Sequence, residues 1–311
     1  MKKDLKTFLV VNPHSSGART EKAWPSILAE LKKVLREFQF SFTERSGQAI
    51  ELTRAALKDG YEMIVSVGGD GTNNEVVNGF FENGQMINPQ ALFGIICSGT
   101  GSDFIKTAGV PRDFRHSVKH LAGQNFKLID LGWMRHKDHS GKMTERYFIN
   151  IASFGVGGAA DAIVNKSSKP LGGKVAFLMA TARAGLFFKN QSVTITLDKK
   201  TVLERKIFNL AIANGKFFGA GMMVAPMAEI DDGILEVVSL GDLSFMERLK
   251  LSTAIRTGAH IYMPKIEHWR AKEVLAESPE NVLLDVDGEQ PGTLPAEFKL
   301  LHKALRFKIP G

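Results

Sequence analysis

Residues that could carry chemistry are densest in Ser66 to Gly79, SVGGDGTNNEVVNG. Gly68, Gly69 and Gly71 lie between an apolar run and a segment with helical periodicity. Successive backbone N–H groups in such a turn, together with the N-terminus of the following helix, form an anion site suited to phosphate. Asp70 would repel a phosphate unless it held a Mg²⁺ ion or took a proton from a hydroxyl group. Alternatively Asp70 caps the helix, and the spacing alone leaves both roles open.

Two other known phosphate-binding patterns do not match this sequence. The P-loop pattern G-x-x-x-x-G-K-[ST] is absent from the sequence. GVGGAA, from Gly155 to Ala160, resembles a dinucleotide-binding turn, but no second strand ending in Asp or Glu follows at the required distance. A tightly packed turn is the better interpretation, and a dehydrogenase is excluded.

The elements that would position these residues alternate between strand and helix in the first third of the chain. Apolar runs such as Thr7 to Val11 and Met63 to Gly69 are each followed by helical periodicity, which predicts an α/β domain with a parallel sheet and flanking helices. In such sheets ligands bind beyond the carboxyl ends of the strands. The clusters NPHSSG, TERSG, GGDGT and SGTGSD all lie at such ends.

The pattern changes after about Asp130. Short strands bounded by turn residues, interrupted by helical stretches at Lys174 to Phe188 and Phe245 to Gly258, predict a mainly antiparallel β-rich domain. The predicted domains are residues 1–131 for nucleotide binding and 132–296 for the lipid or other substrate. Residues 297–311 form a terminal segment that could pack back on the first domain.

Composition limits the partners. The net charge of +7 favours anionic partners, but the basic residues are spread along the chain, so no nucleic-acid partner is expected. The single cysteine, Cys97, excludes an internal disulfide framework and fits a reducing compartment. No apolar stretch approaches the length of a membrane span. We expect a cytoplasmic protein with at most peripheral contact at the inner face of a membrane, and the sequence does not determine its oligomeric state.

Five segments together resemble the diacylglycerol kinase catalytic-domain superfamily, which includes bacterial lipid kinases and the sphingosine and ceramide kinases. GGDGTNNEV resembles its nucleotide-binding signature, VVNPHSSG its first element and TERSGQA its Thr-x-x-x-Gly-x-Ala element. GTGSDFIKTAGVP resembles its second phosphate loop, and GKFFGAGMMVAPMAEIDDGILEVV with the later VDGE resembles its C-terminal domain. NAD kinases also contain GGDGT, so the five segments in order are the specific feature.

The resemblance implies a lipid kinase that uses ATP and Mg²⁺, with ATP between two domains. It places the following residues at the nucleotide: Asn12, Ser16, Gly17, Thr43, Gly68, Gly69, Asp70, Gly71, Thr72, Asn73, Asn74, Gly99, Thr100 and Asp103. It makes Glu289 of VDGE the general base, with Asp70 as the alternative.

The resemblance also implies a supporting Mg²⁺ at Asp232, with the backbone carbonyl groups of Glu229 and Ile234 as further ligands. Without the resemblance, Asp231-Asp232-Gly233 is better interpreted as a turn between strands. Two residues depart from the family pattern: Ser102 replaces an asparagine, and Ile105 replaces a small residue. These departures leave the preferred lipid head group open.

The sequence thus predicts transfer of a phosphoryl group from ATP to the hydroxyl of a lipid alcohol such as diacylglycerol, a sphingoid base or ceramide. The alternatives are a kinase of a soluble substrate such as NAD and a regulator that binds lipid or nucleotide without turnover. The segment Lys174 to Phe188 could line the acyl chain, touch the membrane or form a buried helix. His136 and His139 are expected to be solvated turn residues rather than metal ligands.

Overall fold

The computed structural model describes residues 5–98, 102–123, 125–166, 185 and 188–310. Its helices are α1 Ser15–Val34, α2 Gln48–Lys58, α3 Asp70–Gly79, α4 Asp103–Ala108, α5 Phe114–Lys119, α6 Val156–Lys166 and α7 Phe245–Ala254. Its strands are β1 Thr7–Val11, β2 Phe38–Phe42, β3 Met63–Gly68, β4 Phe81–Glu82, β5 Gln85–Met86, β6 Leu92–Cys97, β7 Phe126–Lys137, β8 Met143–Phe148, β9 Ile151–Gly155, β10 Gln191–Leu197, β11 Thr201–Ile207, β12 Asn209–Ala213, β13 Phe217–Phe218, β14 Met222–Met223, β15 Leu235–Leu240, β16 Ile266–Ala271, β17 Glu273–Glu277, β18 Leu284–Val286 and β19 Thr293–Lys308.

The chain forms two units. The first comprises Met1–Asp130 and Lys303–Gly311, and the second comprises Leu131–His302. The boundaries fall inside β7 and β19, so each of these strands contributes residues to both units. The α/β first part and the antiparallel β-rich second part predicted from the sequence are both confirmed.

The first unit is built on a parallel sheet in the order β2-β1-β3-β6. Every residue of β1, β3 and β6 is buried, as expected for strands covered on both faces. The end of β19 pairs in parallel with β6, with Arg306 opposite Leu92 and Phe307 opposite Phe93. Leu9, Val65 and Ile96 of the sheet pack with Ile27 and Leu31 of α1 in one core cluster.

The strand order has a switch point. The chain passes from β1 to β2 on one side and returns to β3 on the other side of β1. Helices on opposite sides of such a point leave a crevice at the carboxyl ends of the two central strands, where ligands bind in sheets of this kind. The fold therefore directs attention to the residues that follow β1 and β3.

The second unit is a sandwich of antiparallel strands. One sheet has the order β16-β15-β12-β9-β18, and the other contains β11-β10-β17-β19, with β7 paired to β19 and β8. Side chains from both sheets, including Phe154, Ile195, Ile212 and Phe298, share one core. This core fixes the loops between the strands, where the polar residues of this unit lie.

Two sequence interpretations change, and a third falls almost entirely outside the described residues. The helix predicted over Phe245–Gly258 ends at Ala254, and the segment Lys174–Phe188 lies outside the described residues except for Gly185 and Phe188. His136 is not a solvated turn residue, because it lies in β7 with almost no exposure, and burial lowers its pKa. His139 does lie exposed in the turn after β7. No helix within the described ranges is long and apolar enough to cross a membrane.

Candidate active site

The polar clusters of the first unit follow neighbouring strands. The parallel register places Val11 opposite both Phe42 and Val67, and Gly68 opposite Cys97. Backbone hydrogen bonds continue past the strand ends, because Asn12 N donates to Val67 O at 3.0 Å and Thr43 N donates to Val11 O at 2.9 Å. Four loops therefore begin at one edge of the sheet, on the side that the switch point opens.

The glycine-rich turn after β3 is tightly packed at one position and open at the next. A Cβ at Gly68 would lie 2.5 Å from the hydroxyl oxygen of Thr72, whereas a Cβ at Gly69 would meet no atom within 4 Å. Asn12 Nδ2 donates to Thr72 Oγ1 at 3.0 Å, which ties the loop after β1 to the start of α3. Gly69 is thus the point at which a ligand could approach the backbone of the turn.

Asp70 joins two loops instead of capping a helix. Gly69 occupies the N-cap position of α3, and Asp70 is the first residue of the helix. Its Oδ2 accepts a hydrogen bond from Asp103 N at 3.0 Å. The capping alternative is therefore wrong, and the carboxylate holds the start of α4 beside the glycine-rich turn.

Asp103 adds a second carboxylate to this junction. Its side chain is buried, and Lys106 Nζ donates to its Oδ1 at 2.7 Å. Before it, Ser102 adopts a left-handed backbone conformation with φ of 47° and accepts a hydrogen bond from the thiol of Cys97 at 2.9 Å. Ser102 therefore helps to fix the second loop. Gly99 and Thr100 lie outside the described residues.

The asparagines that follow are buried in α3. Asn74 accepts hydrogen bonds from Asn78 Nδ2 through its backbone oxygen at 2.8 Å and its side-chain oxygen at 3.2 Å. Asn73 is almost fully buried, and neither polar atom of its side chain has a hydrogen-bond partner among the described residues. A buried amide without a partner is costly, so Asn73 offers a donor and an acceptor to a ligand.

The first turns of α1 are held to the loop after β6. Thr20 Oγ1 donates to Ser98 Oγ at 2.8 Å, and Ser15 Oγ contacts Thr20 Oγ1. Gly17 has φ of 69°, and a Cβ there would meet no atom within 4 Å. Ser16 lies within α1, but its side chain is not among those described. Open backbone at Gly17 is compatible with the predicted approach of phosphates.

Glu75 is a site residue that sequence reasoning missed. From α3 it accepts hydrogen bonds from Gly47 N at 2.9 Å and Ala49 N at 3.2 Å. These N–H groups lie at the N-terminus of α2, where helices leave donors without partners inside the helix. The sequence feature that could have pointed to Glu75 is its place as an acidic residue within GGDGTNNEV. Glu75 positions the TERSG loop, including Thr43, relative to the glycine-rich turn.

Glu289 lies in the second unit, in the tight turn after β18. Val286 and Glu289 exchange two backbone hydrogen bonds at 2.8 and 3.0 Å, with Asp287 at φ of 50° and Gly288 between them. The Glu289 carboxylate forms an ion pair with Arg146 of β8. Arg146 is a second residue that sequence reasoning missed.

Asp287 anchors this turn. Its carboxylate accepts hydrogen bonds from three backbone N–H groups, those of Ile149 at 3.0 Å, Asn150 at 3.2 Å and Ile151 at 3.0 Å. Asp287 is buried, so the bonds are shielded from water and hold the segment between β8 and β9 against the turn. The position of Glu289 thus depends on Asp287.

Two of the three predicted magnesium residues, Glu229 and Asp232, line a cavity of about 420 Å³ together with Met227, Glu236 and Arg270. Arg270 Nη2 donates to Asp232 Oδ2 at 2.6 Å, and Ile234 N donates to Asp232 Oδ1 at 3.1 Å. Arg270 also pairs with the buried Glu236, which contacts His268. Both oxygens of Asp232 are therefore engaged.

This arrangement fits an ion pair better than a metal ion. Across the described parts of the chain, no group of three or more His, Cys, Asp or Glu side chains is arranged to hold a metal. A cation at Asp232 would have to displace the guanidinium group of Arg270. The assignment of Glu229, Asp232 and Ile234 to magnesium stays a prediction.

Comparison with known proteins agrees with this fold and identifies the family. The chain matches the diacylglycerol kinase catalytic domain over residues 6–134 and the YegS C-terminal NAD kinase beta sandwich-like domain over residues 150–308. It is 30% identical over 304 residues to the diacylglycerol kinase of Staphylococcus haemolyticus (strain JCSC1435), an alignment that covers 97% of this chain and 87% of the relative. The fold and these relatives place the protein in the class of kinases. The chain belongs to the diacylglycerol kinase catalytic-domain family.

Solved structures share the fold. A crystal structure of a diacylglycerol kinase from Bacillus anthracis str. Sterne superposes with a TM-score of 0.70 at 20% identity, covering 100% of this chain and 98% of that chain. Yeast NADH kinase complexed with NADH gives a TM-score of 0.55 at 12% identity, covering 100% and 85%. At these identities the likeness establishes the fold alone.

Proposed function

We propose that this protein transfers the γ-phosphoryl group of ATP to the hydroxyl group of a lipid alcohol. Diacylglycerol is the first candidate because the curated relative is named for it, and a sphingoid base or ceramide comes next. Membership in a kinase family supports ATP as the phosphoryl donor.

The convergence of four loops on an open glycine turn is the observation that carries the proposal. Gly69 leaves space beside the N-terminus of α3, a helix of ten residues whose first N–H groups have no partner within the helix. Phosphate oxygens would accept hydrogen bonds from these groups. Asn73, with its buried amide, supplies a further donor from the same helix.

In the proposed reaction the acceptor oxygen forms a bond to the γ-phosphorus, and the bond from that phosphorus to the bridging oxygen of ADP breaks. The proton of the acceptor hydroxyl passes to a carboxylate. Glu289 is the first candidate for this base, since its ion pair with Arg146 fixes it at the tip of a rigid turn. Asp70 is the alternative base, or holds the metal. Mg²⁺ bound with ATP would neutralise charge on the phosphates.

The first experiment measures transfer of labelled γ-phosphate to diacylglycerol, sphingosine and ceramide in mixed micelles, with NAD tested in the absence of lipid. Asp70→Asn and Glu289→Gln are compared with Asp138→Asn, which changes a half-buried aspartate at the exposed turn after β7. Removal of a general base lowers the rate by about 10²- to 10⁴-fold. We expect this loss with Glu289→Gln, a large loss with Asp70→Asn, and no loss with Asp138→Asn.

The other results would each select a different function. Labelled NAD without labelled lipid would replace the proposal by a kinase of a soluble dinucleotide. Binding of ATP without transfer to any acceptor, combined with full biological activity of both acid variants, would indicate a regulator.

The second experiment tests the phosphate site by itself. Gly69→Ala adds a methyl group in open space, and because φ at this residue is −111° the backbone accommodates alanine. We therefore expect unchanged thermal stability but at least roughly tenfold weaker binding of ATP in calorimetry, because the methyl group would occupy the approach of the phosphates. Unchanged ATP affinity would show that the phosphates bind elsewhere.

A further inference from the structure

Helix α7 of the second unit presents an apolar face to solvent. Phe245, Met246 and Leu249 are 51%, 62% and 47% exposed. Leu249 lies four residues after Phe245 and three after Met246, and both spacings place side chains next to each other on a helix surface. Three large apolar side chains are thus grouped on the surface instead of being scattered singly.

The opposite face of α7 explains how the helix is held. Leu251 and, just after the helix, Ile255 are buried in a core cluster of the second unit. Glu247 accepts hydrogen bonds from Ser244 N and Ser244 Oγ, both at 2.7 Å, and from Lys265 Nζ at 2.9 Å. These donors hold the pKa of Glu247 at about 2. The helix is therefore anchored by its buried face and by the hydrogen bonds of Glu247.

The surroundings of the apolar face are basic. Lys250 and Arg256 are exposed beside it, and Glu247 is the single acidic residue in the sequence from Ser244 to Tyr262. Tyr262 is almost fully exposed in the short 3₁₀ turn Ala259–Tyr262, which packs next to α7. Tyrosine favours the boundary between apolar and wet surroundings.

We infer that α7 docks the protein on an anionic lipid bilayer. The docking surface consists of Phe245, Met246, Leu249, Lys250, Arg256 and Tyr262. The apolar side chains enter the boundary between head groups and acyl chains, and the two cations pair with anionic head groups. A protein partner fits less well, because the three apolar side chains of α7 and Tyr262 together offer about 500 Å², whereas a stable partner buries about 800 Å² on each side.

This inference adds to the proposed function, since an acceptor lipid resides in a bilayer, but its test requires neither ATP nor turnover. The protein is sedimented with vesicles of equal parts phosphatidylglycerol and phosphatidylcholine, and with vesicles of phosphatidylcholine alone. We expect the protein to bind the anionic vesicles and to bind them more weakly as salt is added. Removal of the charge of either Lys250 or Arg256 should weaken this binding by roughly fivefold.

The double variant Phe245→Ser with Leu249→Ser tests the apolar contribution. We expect it to bind anionic vesicles roughly ten- to a hundredfold more weakly, because two half-exposed side chains no longer enter the bilayer. Val202→Ser is the matched control, since Val202 is 62% exposed on β11, the end strand of one sheet, whereas α7 connects β15 and β16 of the other sheet. Circular dichroism checks that all variants are folded.

Equal vesicle binding by the double variant and the control would overturn the inference. So would a double variant that changes only the oligomeric state in sedimentation velocity, which would make the surface a contact between protein copies. Phosphoryl transfer to a short-chain, water-soluble diacylglycerol separates the two proposals. Transfer without vesicle binding refutes the docking surface alone, and vesicle binding without transfer to any lipid refutes the lipid kinase alone.

Discussion

Replacing Asp287 by asparagine should destabilise the turn that carries Glu289. The carboxylate accepts three backbone hydrogen bonds, two at Oδ1 and one at Oδ2. An asparagine side chain keeps one acceptor oxygen, so the bonds from Asn150 and Ile151 can persist without their charge. Its amide nitrogen would face the N–H of Ile149, and that donor would lose its partner.

The expected cost follows from these contacts. A buried donor without a partner costs about 1–3 kcal/mol, and each of the two remaining bonds weakens by about 1 kcal/mol when the acceptor becomes neutral. Relief from burying a charge offsets part of this sum. We expect a net loss of about 3 kcal/mol, which for a unit of this size lowers the melting temperature by roughly 6–12 °C.

The assay is thermal unfolding followed by calorimetry, with phosphoryl transfer measured well below the transition. Asp138→Asn is the matched control, since Asp138 also accepts three hydrogen bonds, from Ser140 N, Ser140 Oγ and Lys142 N, but in an exposed turn. If Asp287→Asn melts within about 2 °C of the unmodified protein, or no lower than the control, the three bonds do not anchor the turn and the reasoning fails.

Three further predictions concern the first unit. His120 is buried next to Lys308, and its pKa falls from 6.5 to about 4, mainly through desolvation. Below pH 6.5 the unfolded chain takes the proton first, so His120 should lower the free energy of unfolding in urea by about 2–3 kcal/mol between pH 7 and pH 4.5. His120→Leu should remove this contribution and leave that of other buried histidines such as His136. Gly68→Ala should cost about 1–3 kcal/mol in the same assay, because its Cβ would overlap Thr72, and a cost near zero would mean that the turn is loose. Glu75→Gln should raise the KM for ATP several-fold while costing about 1–2 kcal/mol, and an unchanged KM would limit Glu75 to a structural role.

The parallel half of the fold could be read from the sequence because buried strands form continuous apolar runs between helical segments. The ends of the individual helices and strands were harder to predict. Apolar periodicity places the start of the first helix at Ala23, whereas α1 begins at Ser15, since its first turns carry small and polar residues that give no periodic signal. The strand-like segment Arg146 to Phe154 divides into β8 and β9 at Ile149 and Asn150, where Asp287 binds the backbone.

Contacts between distant positions could not be predicted from one sequence. The glycines of GGDGT indicate an anion site through their backbone, but nothing local shows that Asp70 meets Asp103 N across 33 residues. Likewise the turn Asp231-Asp232-Gly233 gives no sign of Arg270, which lies 38 residues from Asp232 in β16. The sequence showed which residues could bind an anion or carry a negative charge. The hydrogen-bond partners of each carboxylate depend on how the sheets bring distant strands together.

The end of β19 has a consequence for biosynthesis. Strand β6 pairs with β3 on one side and with Arg306 and Phe307 on the other, and Arg306 also contacts Gln90, 216 residues earlier in the chain. At translation rates of about 5–20 residues per second, the ribosome needs roughly 10–40 s to make the intervening chain. During that interval the fully apolar strand LFGIIC has an open edge, a site at which nascent chains pair wrongly or recruit chaperones. The first unit, although most of it is made first, is completed last.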